Sequence, residues 1–82
     1  MNREERIQRL QAEYDELSDR VAKLQDFMND FYYKVAHDPK GIDSEIFSAE
    51  PMLVSQLKAM LKYRKALAVR ISFMLLHPER GE

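Results

Sequence analysis

The sequence predicts an all-α protein: an antiparallel hairpin of two long helices, joined by a short hinge turn and assembled into a symmetric oligomer. Three observations predict it. Ile7, Leu10, Tyr14, Leu17, Val21, Leu24, Met28, Phe31 and Val35 recur at alternating spacings of three and four, an unbroken heptad seam. The one strong break before residue 77 is His37-Asp38-Pro39-Lys40-Gly41, where a pre-proline residue, a proline and a glycine follow one another. From Pro51 to Leu76 a second segment carries no further proline or glycine and puts its apolar residues on two adjacent stripes. With two Gly and three Pro in 82 residues there is little room for the turns of a sheet, so residues 1–82 are expected to form a single helical-hairpin domain.

The first helix is expected over residues 2–36, with Asn2 as its cap. A helix of that length spans about 50 Å, too long to be held by propensity alone and too thin to bury its own seam. It must therefore pair with another helix. Its outer face carries the i, i+4 pairs Glu5/Arg9, Glu16/Arg20, Asp19/Lys23 and Asp30/Lys34, which read as a solvated face.

The hinge is expected over residues 37–48, with Ile42, Ile46 and Phe47 in a single helical turn that covers the end of the hairpin. Ser48 is the expected cap of a second helix over residues 49–76, with Pro51 tolerated in its first turn and His77-Pro78 as the stop. One stripe of that helix is Leu53, Leu57, Met60, Leu67, Ile71 and Met74; beside it run Val54, Leu61, Ala68 and Leu75. The first helix can cover only one of them. The doubled stripe, the aromatic cluster Phe27, Phe31, Tyr32 and Tyr33, and the small size of the domain together predict that hairpins associate.

Composition removes several function classes. The absence of cysteine excludes disulfides and thiolate chemistry. His37 and His77 stand outside any His-x-x-x-His or Glu-x-x-His spacing and no glycine-rich phosphate loop occurs, so no cofactor, metal or catalytic residue is expected. Each histidine reads as a helix-end residue that interacts with the last carbonyls. Met1-Asn2-Arg3-Glu4-Glu5-Arg6 is too charged to lead a signal peptide, and no apolar run approaches the roughly 18 residues of a membrane span. A soluble cytoplasmic protein with no membrane partner is expected. A net charge of −1 points neither to a nucleic-acid binder nor to an acidic mimic of one.

Charge is nevertheless unevenly partitioned. Between Pro51 and Leu76 there are five bases, Lys58, Lys62, Arg64, Lys65 and Arg70, and no acid, whereas residues 1–36 hold eight acids and six bases. Arg64 follows Leu57 and precedes Ile71 in the heptad, where an apolar side chain is the rule. A guanidinium there must meet an acid such as Asp15, Glu16 or Asp19, meet a bound anion, or run its stem along the apolar stripe to water. Tyr63 stands between Lys62 and Arg64, an alternation of aromatic and cation that can stack a base and hold its phosphate. Lys58, Tyr63, Arg64 and Arg70 are therefore the candidate ligand-binding residues.

A more particular pattern runs through both segments: Arg9-Leu10, Glu13-Tyr14, Leu17, Arg20, Lys23-Leu24 and Phe27, then Gln56-Leu57-Lys58-Ala59-Met60, Tyr63, Leu67 and Arg70-Ile71. It resembles the helical-hairpin domain of phage anti-CBASS and anti-Thoeris proteins, a group related to the hairpin proteins of crAss-like phages. The resemblance implies a non-enzymatic sponge in the host cytoplasm, a homo-oligomer such as a hexamer, that sequesters a cyclic oligonucleotide or a ligand of the cyclic ADP-ribose type. Two other functions fit the residues. A coiled-hairpin adaptor or inhibitor would engage a host protein through Tyr32, Tyr33 and Phe73. Nucleic-acid binding through the cationic segment is disfavoured, because Leu, Met and Ile occupy much of that surface and no basic tail adds to it.

Overall fold

The computed structural model describes residues 2–77, which form two antiparallel helices joined by a short turn. Helix α1 spans Arg3–His37 and helix α2 spans Ser44–Leu76, with one turn of 3-10 helix, Pro39–Gly41, between them. No strand occurs among the described residues. The product is a rod with extents of 63 × 18 × 16 Å.

Helix α1 follows the predicted limits to within a residue. The Asn2 side chain accepts the Glu5 backbone N–H at 2.8 Å, and Glu4 and Glu5 place negative charge in the first turn, where the helix dipole favours it. At the other end the Asp38 N–H donates to the Lys34 carbonyl at 2.8 Å. His37 stacks on Tyr33 with ring centroids 4.1 Å apart, its Nδ1 lying 2.9 Å from the Tyr33 carbonyl oxygen. His77 repeats the arrangement on Phe73 at the end of α2, with centroids 4.5 Å apart and Nδ1 3.2 Å from the Phe73 carbonyl oxygen. Both histidines are thus helix-end residues, as their positions predict.

The start of α2 corrects the sequence reading. The helix begins at Ser44, not near residue 49, and its cap is Asp43, whose carboxylate accepts the Glu45 N–H at 2.8 Å. Ser48 is not a cap but an interior residue, and the hinge shortens to residues 38–43. Pro51 consequently sits two turns inside α2, where it has no N–H to give to the Phe47 carbonyl. Such a proline costs about 3 kcal/mol in an unsupported helix. Contacts with α1 offset that cost. The Tyr32 hydroxyl donates to Glu50 Oε1 at 2.6 Å, and the Phe47 ring meets Phe31 edge-on with centroids 5.9 Å apart. Ile42 and Ile46 are half-buried beside Phe27 and Phe31, so both cover the end of the hairpin, Ile42 from the hinge and Ile46 from the first turn of α2 and not in a separate helical turn.

The core is the heptad seam of α1 against α2, and it corrects the expectation that α1 covers one stripe alone: Leu61 of the second stripe packs on the core, and Val54 and Ala68 beside it are half-buried. Leu10, Leu17 and Val21 bury with Leu67, and Tyr14, Leu57, Met60, Leu61, Ile71 and Met74 pack around them. Six α1 side chains are buried, Ile7, Leu10, Leu17, Val21, Met28 and Phe31, but Leu67 is the one buried side chain among the described residues of α2. Phe47, Met52, Val69, Phe73, Leu75 and Leu76 of α2 stay exposed. Two of the four outer-face pairs close, Asp19–Lys23 at 2.9 Å and Asp30–Lys34 at 3.0 Å, both well exposed and each contributing a few tenths of a kcal/mol at most.

Candidate functional site

Two hydrogen bonds tie the helices together near the open end of the hairpin. The Tyr63 hydroxyl, on α2, donates to Glu13 Oε1, on α1, and Arg3 Nη2 of α1 donates to the Met74 carbonyl of α2. With Tyr32–Glu50 at the hinge end, they hold one antiparallel register along the rod. Between the two open-end ties lies a groove of about 560 Å³, lined by Arg6, Arg9, Leu10 and Glu13 from α1 and by Val69, Arg70, Phe73 and Met74 from α2.

Helix geometry explains the convergence. Arg6, Arg9 and Glu13 stand at i, i+3 and i+7, on one face of α1 beside the seam. Tyr63 and Arg70 stand seven residues apart on α2, so both reach the same side of α1. Glu13 is the hub, hydrogen-bonded to Tyr63 and sharing the groove with Arg70. The hydrogen bond to Glu13 holds the Tyr63 hydroxyl above its ordinary pKa of 10.0, with burial and the Glu13 charge adding to it and the Arg70 charge pulling the other way. Arg6, Arg9, Arg70 and Glu13 therefore line one groove together with Leu10, Val69, Phe73 and Met74. Such a lining can hold an anion, and the Phe73 ring can take the flat face of a base.

The four residues chosen from the sequence do not share one pocket within a hairpin. Arg70 lines the groove and Tyr63 meets it through Glu13. Lys58 is twelve residues from Arg70, about 18 Å along the helix, and lines a separate groove with Gln25, Asp26, Asn29 and Tyr32. Arg64 is half-buried, and among the described residues it forms no ion pair with Asp15, Glu16 or Asp19. Arg6, Arg9 and Glu13 were not among the candidate binding residues, although Arg9 and Glu13 belong to the family-like pattern and Arg9 was read as part of the solvated face, because charges on α1 look alike whether they face water or a second helix. Their common face beside the seam was the available signal.

The Sequestin family model matches residues 4–73. The chain belongs to the Sequestin family. The match takes in the hinge, all but the ends of both helices and every groove residue except Met74, which lies one position beyond it. No curated protein and no solved structure matches the chain. The Sequestin name speaks of sequestration, a role that needs binding without turnover, and the family is of the sponge type to which the helical pattern pointed. In this Sequestin hairpin the described residues include no cluster of three or more His, Cys, Asp or Glu placed to hold a metal. No helix among them is long and apolar enough to cross a membrane.

Proposed function

We propose that this Sequestin hairpin is a non-enzymatic phage anti-defence protein that sequesters cyclic-nucleotide immune signals, as a homo-oligomer in the host cytoplasm. The observation that carries the reading is the groove lined by Arg6 and Arg9 of α1 and by Arg70 and Phe73 of α2. Arginines hold phosphate through paired N–H donors and a ring offers a face for a base, a combination suited to a cyclic oligonucleotide or a cyclic ADP-ribose type ligand. No nucleophile and base pair is needed, because a sponge lowers the free concentration of its ligand by mass action alone.

Assembly is supported by area. The chain exposes 6568 Å², against about 5,100 Å² for a compact monomer of its 9.7 kDa. The difference, about 1,400 Å², exceeds the roughly 800 Å² that each partner contributes to a standard interface. Lys58 and Arg64 point away from the Arg70 groove in helical phase, so their part in ligand binding is to complete a neighbouring subunit's site in a symmetric assembly. The binding set is then Lys58, Tyr63, Arg64 and Arg70, joined by Arg6 and Arg9.

Native mass spectrometry tests this directly, with the protein alone and with cyclic di- and trinucleotides and cyclic ADP-ribose isomers. One closed oligomer that gains ligand mass in a fixed ratio is the expected result, with the gain lost in Arg64→Ala and Arg70→Ala proteins that remain folded oligomers. A closed oligomer that binds none of these compounds would instead support a coiled-hairpin adaptor that engages a host protein through Tyr32, Tyr33 and Phe73, of which Tyr33 and Phe73 are the more exposed at 62% and 60%.

A further inference from the structure

A second heptad runs along the face of α2 turned away from α1. It passes from Met52 through Ser55, Ala59 and Lys62, then through Ala66, Val69 and Phe73 to Leu76, in steps of three and four throughout, and each of these residues is exposed in the hairpin. Bulk is unevenly placed along it: short side chains at Ser55, Ala59 and Ala66, large apolar ones at Met52 and from Val69 onward. We propose that a second copy of this hairpin packs its own α2 antiparallel on this seam, about a two-fold axis level with Arg64, and that its Gln56 completes the groove beside Arg70.

Size matching fixes both direction and register. In this arrangement Phe73 faces Ser55 of the second copy, Val69 faces Ala59 and Lys62 faces Ala66, so large meets small in every inner layer while Met52 and Leu76 close the two ends. The Lys62 stem lies over the Ala66 methyl with its ammonium in water. A parallel pair in register would instead set Phe73 on Phe73, Ala59 on Ala59 and Lys62 on Lys62, which props the helices apart at one end, leaves a gap in the middle and opposes like charges. An antiparallel shift of one heptad either carries Met52 and Ser55 past Leu76 of the partner copy or sets Leu76 against Glu45. The hairpin's surface beyond that of a compact monomer, about 1,400 Å², suffices for the roughly 800 Å² that one partner contributes. The opposing term is electrostatic: Lys58 and Lys65 of both copies share one flank, and α2 has no acid after Pro51 to offset them, so the dimer tightens as salt screens them.

The same packing reaches the groove. Val69 and Phe73 belong both to the seam and to the groove lining. Antiparallel helices related by a two-fold axis bring like flanks together, so exposed Gln56 of the second copy comes beside Arg70, on the flank that also carries Tyr63. Its amide brings donors and an acceptor for the edge of a base to a lining otherwise charged or apolar. This role of Gln56 rests on the sequestration reading, whereas the interface does not.

The chain has no cysteine, so disulfide cross-linking reads the register directly. Ala59→Cys with Val69→Cys in one chain should give a covalent dimer on mild oxidation. Ala59→Cys alone and Val69→Cys alone should not, because each position lies about 15 Å along the axis from its own copy. A double variant that keeps its helix content by circular dichroism and does not cross-link overturns the interface, as does cross-linking of Ala59→Cys alone, the mark of a parallel pair. For the groove, Gln56→Ala should keep the dimer in sedimentation equilibrium. It should also weaken by about tenfold the binding of whichever probe wild type takes up in isothermal titration calorimetry, among cyclic di-AMP, cyclic tri-AMP and a cyclic ADP-ribose isomer. Unchanged affinity in that variant overturns the role of Gln56. If wild type binds none of the probes, the sequestration reading falls and the role of Gln56 with it, while the cross-link still decides the interface.

Discussion

Helix α1 is the more polar of the two helices in sequence and yet buries six side chains; α2, with its doubled apolar stripe, buries one. The difference teaches how a two-helix hairpin divides its work. A seam of period 3.5 is spent entirely on the internal contact, so α1 has its charges left for water and for the groove. The α2 helix turns parts of both stripes toward α1, Leu61 among them, and outside the stripes Met52, Val69, Phe73 and Leu76 stay exposed, at 60% or more. Apolar surface of that kind on a domain of 82 residues is where another subunit is expected to sit.

The largest effect expected from breaking this division is at Leu67, the side chain where α2 is fully enclosed at 0% exposure. Leu67→Ala should destabilise the fold by about 2–5 kcal/mol, read from urea denaturation at fixed protein concentration. A loss below about 1 kcal/mol would mean that the core is not centred on the Leu10, Leu17, Val21 and Leu67 cluster.

Pro51 should give an effect of opposite sign. Because it sits inside α2 and withholds an N–H from Phe47, Pro51→Ala should stabilise the helix by up to about 3 kcal/mol and raise the thermal midpoint. A destabilised variant would show that the proline sets a bend that the Tyr32–Glu50 and Phe31–Phe47 contacts require. This residue also marks where the sequence stopped being legible. The α1 limits, the antiparallel hairpin and the seam could all be read from spacing, because periodicity is local and repeats many times. Pro51 reads locally as helix punctuation, and that placed the cap at Ser48. What overrides it are two contacts between residues 16 and 18 positions apart in the chain, which no local rule contains. The site divides in the same way. Arg70 and Tyr63 were legible from the acid-free stretch of α2, whereas Arg6, Arg9 and Glu13 acquire meaning only once the register brings α2 across them.

A smaller folding effect and a larger assembly effect are expected on the outer face. Met52 and Leu76, each 74% exposed, touch little within the hairpin. Met52→Ser with Leu76→Ser should change monomer stability by no more than about 0.5 kcal/mol while lowering the assembly state seen in sedimentation equilibrium. An unchanged oligomer would move the interface to α1 and remove the contrast between the helices.

The smallest effect concerns the tyrosines that cross between the helices. Each hydroxyl is a donor to a carboxylate only while protonated, and the tyrosinate would face a second negative charge. The hydrogen bond to Glu50, with burial and the Glu50 charge behind it, raises Tyr32 above 10.0; the hydrogen bond to Glu13 does the same for Tyr63. With the folded value above the unfolded one, the stability they contribute is fully present below pH 10 and is lost as pH rises through the folded values. Tyr32→Phe with Tyr63→Phe should flatten that alkaline decline by lowering stability slightly in the neutral range, with the difference from wild type closing as pH rises through the folded values. The two sites differ in one respect, for Arg70 draws Tyr63 back toward its ordinary value while no cation is a cause at Tyr32. In a carbon-13 tyrosine NMR titration, Arg70→Ala should therefore move the Tyr63 midpoint upward and leave that of Tyr32 where it was. A Tyr63 midpoint that ignores Arg70 would separate Arg70 from the Glu13 hub, and with it the claim that the groove joins the charges of α1 to those of α2.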